Sequence, residues 1–80
     1  MEAKGFTLSI VVLNKFGVLT RIAGLFSKRG YNIDSIDAKP MTEDEVYTRI
    51  IMTTKGDDAT KLQIVKQLEK LHDVKEVKII

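Results

Sequence analysis

The feature that most constrains this chain is a change of hydrophobic period at Asn14-Lys15-Phe16-Gly17. Before it, Phe6, Leu8, Ile10 and Val12 alternate with Thr7, Ser9, Val11 and Leu13, the period of a strand with one fully apolar face and one mixed face. After it, Leu19, Ile22, Ala23 and Phe26 fall at i, i+3, i+4 and i+7, the stripe of a helix of about three turns starting at Val18. Thr20, Arg21, Ser27, Lys28 and Arg29 face outward on this reading, and the basic residues of the last turn suit the negative end of the helix dipole. Gly30 suits the left-handed position that closes such a helix.

From Tyr31 to Lys39 the pattern is extended again, although Ile33 and Ile36 are three apart, which predicts an irregularity near Asp34-Ser35. Pro40 ends this strand, the MTEDE stretch reads as a polar turn, and Val46, Thr48, Ile50 and Met52 alternate with Tyr47, Arg49, Ile51 and Thr53 in a third strand. Strands two and three are expected to form a hairpin. Gly56 closes the third strand, Asp57 is a good N-cap with Asp58 in the first turn, and Leu62, Ile64, Val65, Leu68 and Leu71 outline a second amphipathic helix, with Lys66, Lys70 and His72 toward its end. Val74, Val77, Ile79 and Ile80 supply a last short strand.

The order βαββαβ predicts an α+β, ferredoxin-like fold: an antiparallel four-stranded sheet with both helices on one face. Residues 1–80 read as a single domain. On the face without helices, Val11, Leu13 and Ile51 among Thr7, Ser9 and Arg49 are more apolar than a solvated surface, so part of it is expected to be covered by another protein. A domain of 80 residues buries a modest share of its surface, which favours dimerisation.

Composition narrows the function. The chain has no Cys, which removes disulfides, thiolate metal sites and cysteine nucleophiles and fits the cytoplasm. Its longest apolar run, Ile10 to Leu13, is far short of the roughly 20 residues of a membrane span, and MEAKGF lacks the apolar core of a signal peptide. With 13 basic and 11 acidic residues spread along the chain, the net charge of +2 gives no electrostatic footprint for nucleic acid. RNA-binding domains of the same strand order stack bases on aromatics of strands one and three, and strand three here, VYTRIIMTT, carries Tyr47 alone.

No catalytic constellation stands out. His72, the only His, reads as a helix-end dipole partner, Asp57-Asp58 as a helix start and Glu43-Asp44-Glu45 as a turn, and none stands at metal-ligand spacing. An acylphosphatase-like enzyme would need an anion-cradling loop with Arg after strand one, which Asn14-Lys15-Phe16-Gly17 does not supply. What remains is that junction itself, where the N–H groups of Val18, Leu19 and Thr20 are expected to point out of the helix start and to welcome a carboxylate. The Asn14 carboxamide accepts from an ammonium and donates to a carboxylate, the two groups of an α-amino acid, and Val18, Leu19 and Ile33 suit a small aliphatic side chain. On spacing alone, shaping a turn explains Asn14 and Gly17 as well as ligand binding does.

The stretch NKFGVLTRIAGLFSKRGYNIDSI, from Asn14 to Ile36, closely resembles the signature of ACT domains in acetolactate synthase small subunits, and the likeness continues through Pro40, TRIIMTTKGDD and KQLEKLHDVKEV. The N-x-x-G-x-L turn is general to ACT domains; the GLFSKRGYNI run is specific to this subfamily. The resemblance implies an ACT fold paired as a homodimer through strand two and helix one, with an effector amino acid, usually valine, at the interface. Asn14, Lys15, Phe16, Gly17, Val18 and Leu19 would come from one protomer, and Asn32 and Ile33 from its partner. It also implies a non-catalytic regulatory chain that activates the catalytic large subunit and makes it sensitive to feedback. Thiamine diphosphate, magnesium and FAD would belong to that other chain. Two departures stand out: Phe16 occupies a position where many ACT domains have Pro or a small residue, and the chain ends at Ile80 where many relatives continue into a second domain. A stand-alone ACT homodimer, acting as an assembly module or free amino-acid sensor, is the alternative within the same fold.

Overall fold

A computed structural model of the chain describes residues 4–41 and 46–80. The expected turn spanning Met41 to Glu45 therefore lies, apart from Met41, outside the described residues. The elements follow the predicted order: β1 (Lys4–Leu13), α1 (Val18–Lys28), β2 (Ser35–Pro40), β3 (Tyr47–Gly56), α2 (Asp58–Glu69) and β4 (Val74–Ile79). All strand pairs are antiparallel, in the spatial order β2-β3-β1-β4.

The alternation in β1 decides which side of the sheet the helices cover. Leu8 and Ile10 are fully buried and Phe6 and Val12 nearly so, and they pack with Val18, Ile22 and Phe26 of α1 and Ile64 and Leu68 of α2 in one core. In β3, Ile50, Met52 and Thr54 face the same side, because Ile10 pairs with Ile50, Leu8 with Met52 and Phe6 with Thr54. Each such apolar side chain stabilises the fold by roughly 1.5–3 kcal/mol relative to its exposed state.

Where the helices end is chemically explicit. Gly30, at φ 74°, takes the left-handed position expected of it, and the Tyr31 N–H donates to the Phe26 carbonyl at 2.8 Å while the Gly30 N–H donates to Ser27 at 3.1 Å. These are the two hydrogen bonds of a Schellman ending, and the Tyr31 ring meets Phe26 edge-on at 5.7 Å between centroids. Because Tyr31 belongs to this ending, β2 begins only at Ser35, four residues later than the sequence pattern suggested. The Asp34 N–H donates to the Thr53 carbonyl, so the irregularity expected at Asp34-Ser35 is the point where the chain joins the sheet. Asp57 caps α2 as predicted, its carboxylate accepting from the Thr60 N–H at 2.7 Å.

Two helical positions differ from the sequence reading. Leu62 is exposed, because α2 buries Ile64 and Leu68, and at 100° per residue Leu62 lies on nearly the opposite side from Ile64. Leu19 is 44% exposed: the stripe of α1 that meets the sheet is Val18-Ile22-Phe26, so Leu19 lies to one side of it. On the face without helices, Val11 is already only 9% exposed within the single chain, between Arg49 on β3 and Glu76 on β4. Every residue of β2 is exposed, including Ile36 on the helix side, so this edge strand is the least covered part of the sheet.

Candidate functional site

β1 ends in a sequence of tight turns. The Lys15 N–H donates to the Leu13 carbonyl at 2.9 Å, and the Val18 N–H donates to the Lys15 carbonyl at 3.3 Å, closing a turn over Phe16 and Gly17. Gly17, at φ 87° and ψ −6°, has the conformation of the third residue of a type II turn, which glycine adopts without strain. The expectation that Val18 offers a free N–H is therefore corrected: this amide is used by the turn. Leu19 and Thr20 remain at the helix start without an intrahelical acceptor for their N–H groups; the first such bond runs from Arg21 to Gly17 at 2.9 Å. No side chain caps α1 and its first turn holds no acidic residue, so the positive end of its dipole is open to an anion.

Beside this helix start lies a hollow of about 210 Å³ lined by Val12, Leu13, Asn14, Lys15, Val18, Leu19, Ala38, Pro40, Thr48 and Ile50. It is smaller than the roughly 300–1,000 Å³ that drug-sized ligands occupy, and its lining is apolar but for Asn14, Lys15 and Thr48. Such a lining suits a small amphiphile with an aliphatic body and a charged head. The main chain of Asn14 is held by a bond from its N–H to the Val46 carbonyl at 2.8 Å.

The structure divides the predicted site residues. Asn14, Lys15, Val18 and Leu19 line the hollow. Phe16 and Gly17 do not: they form the turn above it, and the Phe16 ring is fully exposed. Asn32 and Ile33 lie at the far end of α1, which at 11 residues spans about 16 Å. Asn32 there lines a separate, more open depression with Arg29, Tyr31, Lys55 and Thr60. Ala38, Pro40 and Thr48 also line the hollow and were not assigned to the site from the sequence. Their signal is the hairpin register, which pairs Ala38 with Ile50 and Pro40 with Thr48 and so sets small residues of β2 opposite the helix start.

A charged cluster flanks the hollow. Asp73, the last residue before β4, is 6% exposed, and among the described residues it is the one ionisable side chain in the buried class. Its carboxylate accepts from Arg21 Nη1 of α1 at 2.7 Å and stands 3.5 Å from Lys15 Nζ. Its carbonyl accepts from the Leu13 N–H at 2.9 Å. His72 next to it is exposed. Among the described residues no group of three or more His, Asp or Glu is arranged to hold a metal ion, and no helix is long and apolar enough to cross a membrane.

The four-stranded antiparallel sheet in the order β2-β3-β1-β4, with two helices and the element order βαββαβ, is the fold of ACT domains. The solved ACT domain of GTP pyrophosphokinase from Chlorobium tepidum shares this fold at a TM-score of 0.77 and 23% identity, over 99% of this chain and all of that one. A family model described as the AHAS small subunit-like ACT domain matches residues 8–76, and the chain belongs to that family. The acetolactate synthase isozyme 3 small subunit of Escherichia coli K12 is 48% identical over 67 residues, 84% of this chain and 40% of that protein. The acetolactate synthase small subunit of Mycobacterium bovis is 44% identical over 80 residues, 100% of this chain and 46% of that protein. The crystal structure of an acetolactate synthase small subunit from Thermotoga maritima superposes at a TM-score of 0.85 with 39% identity, covering 95% of this chain and 47% of that one. The chain thus spans less than half the length of these relatives.

Proposed function

We propose that this chain is the effector-sensing domain of an acetolactate synthase regulatory subunit, binding a branched-chain amino acid, valine foremost, between two copies of itself. The observation that carries the reading is the division of the site residues. In a two-fold pair formed along β2 and α1, the helices run antiparallel and the end of one lies beside the start of the other. Asn32 and Ile33 of one protomer then stand by the hollow of its partner, which is where a site assembled from two chains needs them.

In that site the effector's carboxylate meets the open N–H groups of Leu19 and Thr20 and the Lys15 ammonium, while its ammonium meets the Asn14 carboxamide. Its side chain lies against Leu19 and Ala38. The exposed β2 edge supports the pairing, since an uncovered edge strand with Ile36 and Leu19 nearby is a surface that a second copy satisfies by continuing the sheet. Regulation follows by linkage: an effector that binds one dimer geometry more tightly shifts the population toward it, and that geometry contacts the catalytic large subunit differently. The reaction and its thiamine diphosphate, magnesium and FAD belong to the catalytic chain.

Calorimetric titration of the chain with L-valine tests this reading, using Asn14→Ala and Gly17→Asp as variants. Both are expected to weaken binding, the second by straining the left-handed turn and by bringing a negative charge to the helix start that the ligand's carboxylate would use. Unchanged affinity in both variants would refute the site.

A further inference from the structure

We propose that Asp73 is a positioning residue for the effector turn, acting through its charge to hold Lys15 and Arg21 in place beside the hollow. The inference rests on the effector reading for its consequence in binding, but the geometry that carries it is independent of any ligand.

One nearly buried carboxylate joins three segments. It accepts a short hydrogen bond from Arg21 in the second turn of α1 and pairs with Lys15 in the turn before α1, while the main chain of the same residue receives the Leu13 N–H at the end of β1. The reach depends on the sheet: β1 and β4 shift register between Val11 and Val12, so Val12 pairs with Val74 where the unshifted ladder would bring Lys75. The shift sets Asp73, rather than Val74, beside Leu13, where its carbonyl receives the Leu13 N–H.

The electrostatics give this joint a direction. Two cations share a single anion, so the cluster carries a net positive charge on the rim of a hollow that Lys15 itself lines. The Arg21 contact is short and charge-assisted and fixes the carboxylate. The Lys15 contact is longer and the Lys15 side chain is more than half exposed, so its ammonium is oriented by Asp73 yet remains able to reach a ligand carboxylate. With the Asp73 charge removed, Lys15 and Arg21 face each other uncompensated, and repulsion moves the exposed member, Lys15, together with the turn that carries it.

The test separates charge from shape. Asp73→Asn keeps the shape and loses the charge; Asp73→Glu keeps the charge and alters the shape. In the ligand-free, ¹⁵N-labelled chain, Asp73→Asn is expected to shift the amide resonances of Asn14 to Val18 and Asp73→Glu to leave them near their parental positions. Affinity for L-valine is expected to fall by about tenfold in the Asn variant and by less than about threefold in the Glu variant. The opposite order, Asn like the parent and Glu disrupted, would assign Asp73 a packing role and overturn the proposal. If the Asn variant does not fold, Arg21→Gln decides: it leaves the buried carboxylate to Lys15 alone, and an unchanged Lys15 amide resonance overturns the proposal. Failure of the parent chain to bind L-valine would sink the effector reading, and the resonances would still decide the role of Asp73.

Discussion

The hydroxyl of Thr54, fully buried on β3, donates to the main-chain carbonyl of Asn32, in the connection that leads from α1 to β2. The sheet thereby holds the segment that the proposed function places against a neighbouring protomer's hollow. Thr54→Val keeps the volume and removes the donor. It is expected to destabilise the fold by about 1 kcal/mol, seen as a Tm lower by about 4–8 °C in a domain of this size. Under the same reading it also weakens effector binding, because Asn32 is no longer fixed.

Gly17 illustrates a cost of conformation without a cost of space. A Cβ built on it meets nothing within 4 Å, yet its φ of 87° is one that side-chain-bearing residues avoid. Gly17→Ala is therefore expected to destabilise by about 1–2 kcal/mol in urea unfolding through backbone strain alone. Gly17→Asn, whose side chain tolerates the left-handed region, is expected to lose less.

The cap of α2 makes acid stability a local question. The Asp57 carboxylate is held below its ordinary value of 3.8, first by the hydrogen bond it accepts from the Thr60 main chain and next by that from the Thr60 side chain. A carboxyl depressed in the folded state contributes stability above its unfolded value, and that contribution is lost as the pH falls through the folded value. Asp57→Ala is expected to lower the Tm at neutral pH, and the gap to the parent is expected to narrow as the pH falls below the carboxyl's ordinary value of 3.8 and through its lower folded value. A gap that stays constant across that range would contradict the account.

The uncovered edge makes the strongest prediction about assembly. Ile36 lies exposed on β2, the strand through which the proposed dimer continues its sheet. Ile36→Lys sets a charge on that edge, as natural sheets do to prevent strand addition. Sedimentation equilibrium is expected to show a dimer for the parent and a shift toward monomer for the variant, with valine affinity falling in parallel. A variant that dimerises like the parent would move the interface elsewhere on the surface.

The elements were legible where a local signal was strong. The change from period 2 to period 3.6 across Asn14 to Gly17 located β1 and α1, and Gly30 and Asp57 marked a helix end and a helix start that the hydrogen bonds confirm. Legibility failed where two local rules competed. Tyr31 to Asp34 looks extended, but Tyr31 completes the hydrophobic contact of the helix ending, so the strand starts later. Leu19 and Leu62 are apolar residues on helices, and periodicity alone could not say that the sheet would meet the sides occupied by Val18 and Ile64 instead.

From its order of residues alone the chain determined its element sequence, the glycine turn before α1 and its likeness to a family, because each of these is written in neighbours a few positions apart. Tertiary structure alone decided that Ala38, Pro40 and Thr48 complete the hollow, that Asn32 and Ile33 stand a helix length away from it, and that Asp73 lies between Lys15 and Arg21. Those relationships join residues up to 58 positions apart, as Lys15 and Asp73 are. Period and propensity act only along the chain, whereas the register between strands and the packing of helices on the sheet set which distant side chains become neighbours.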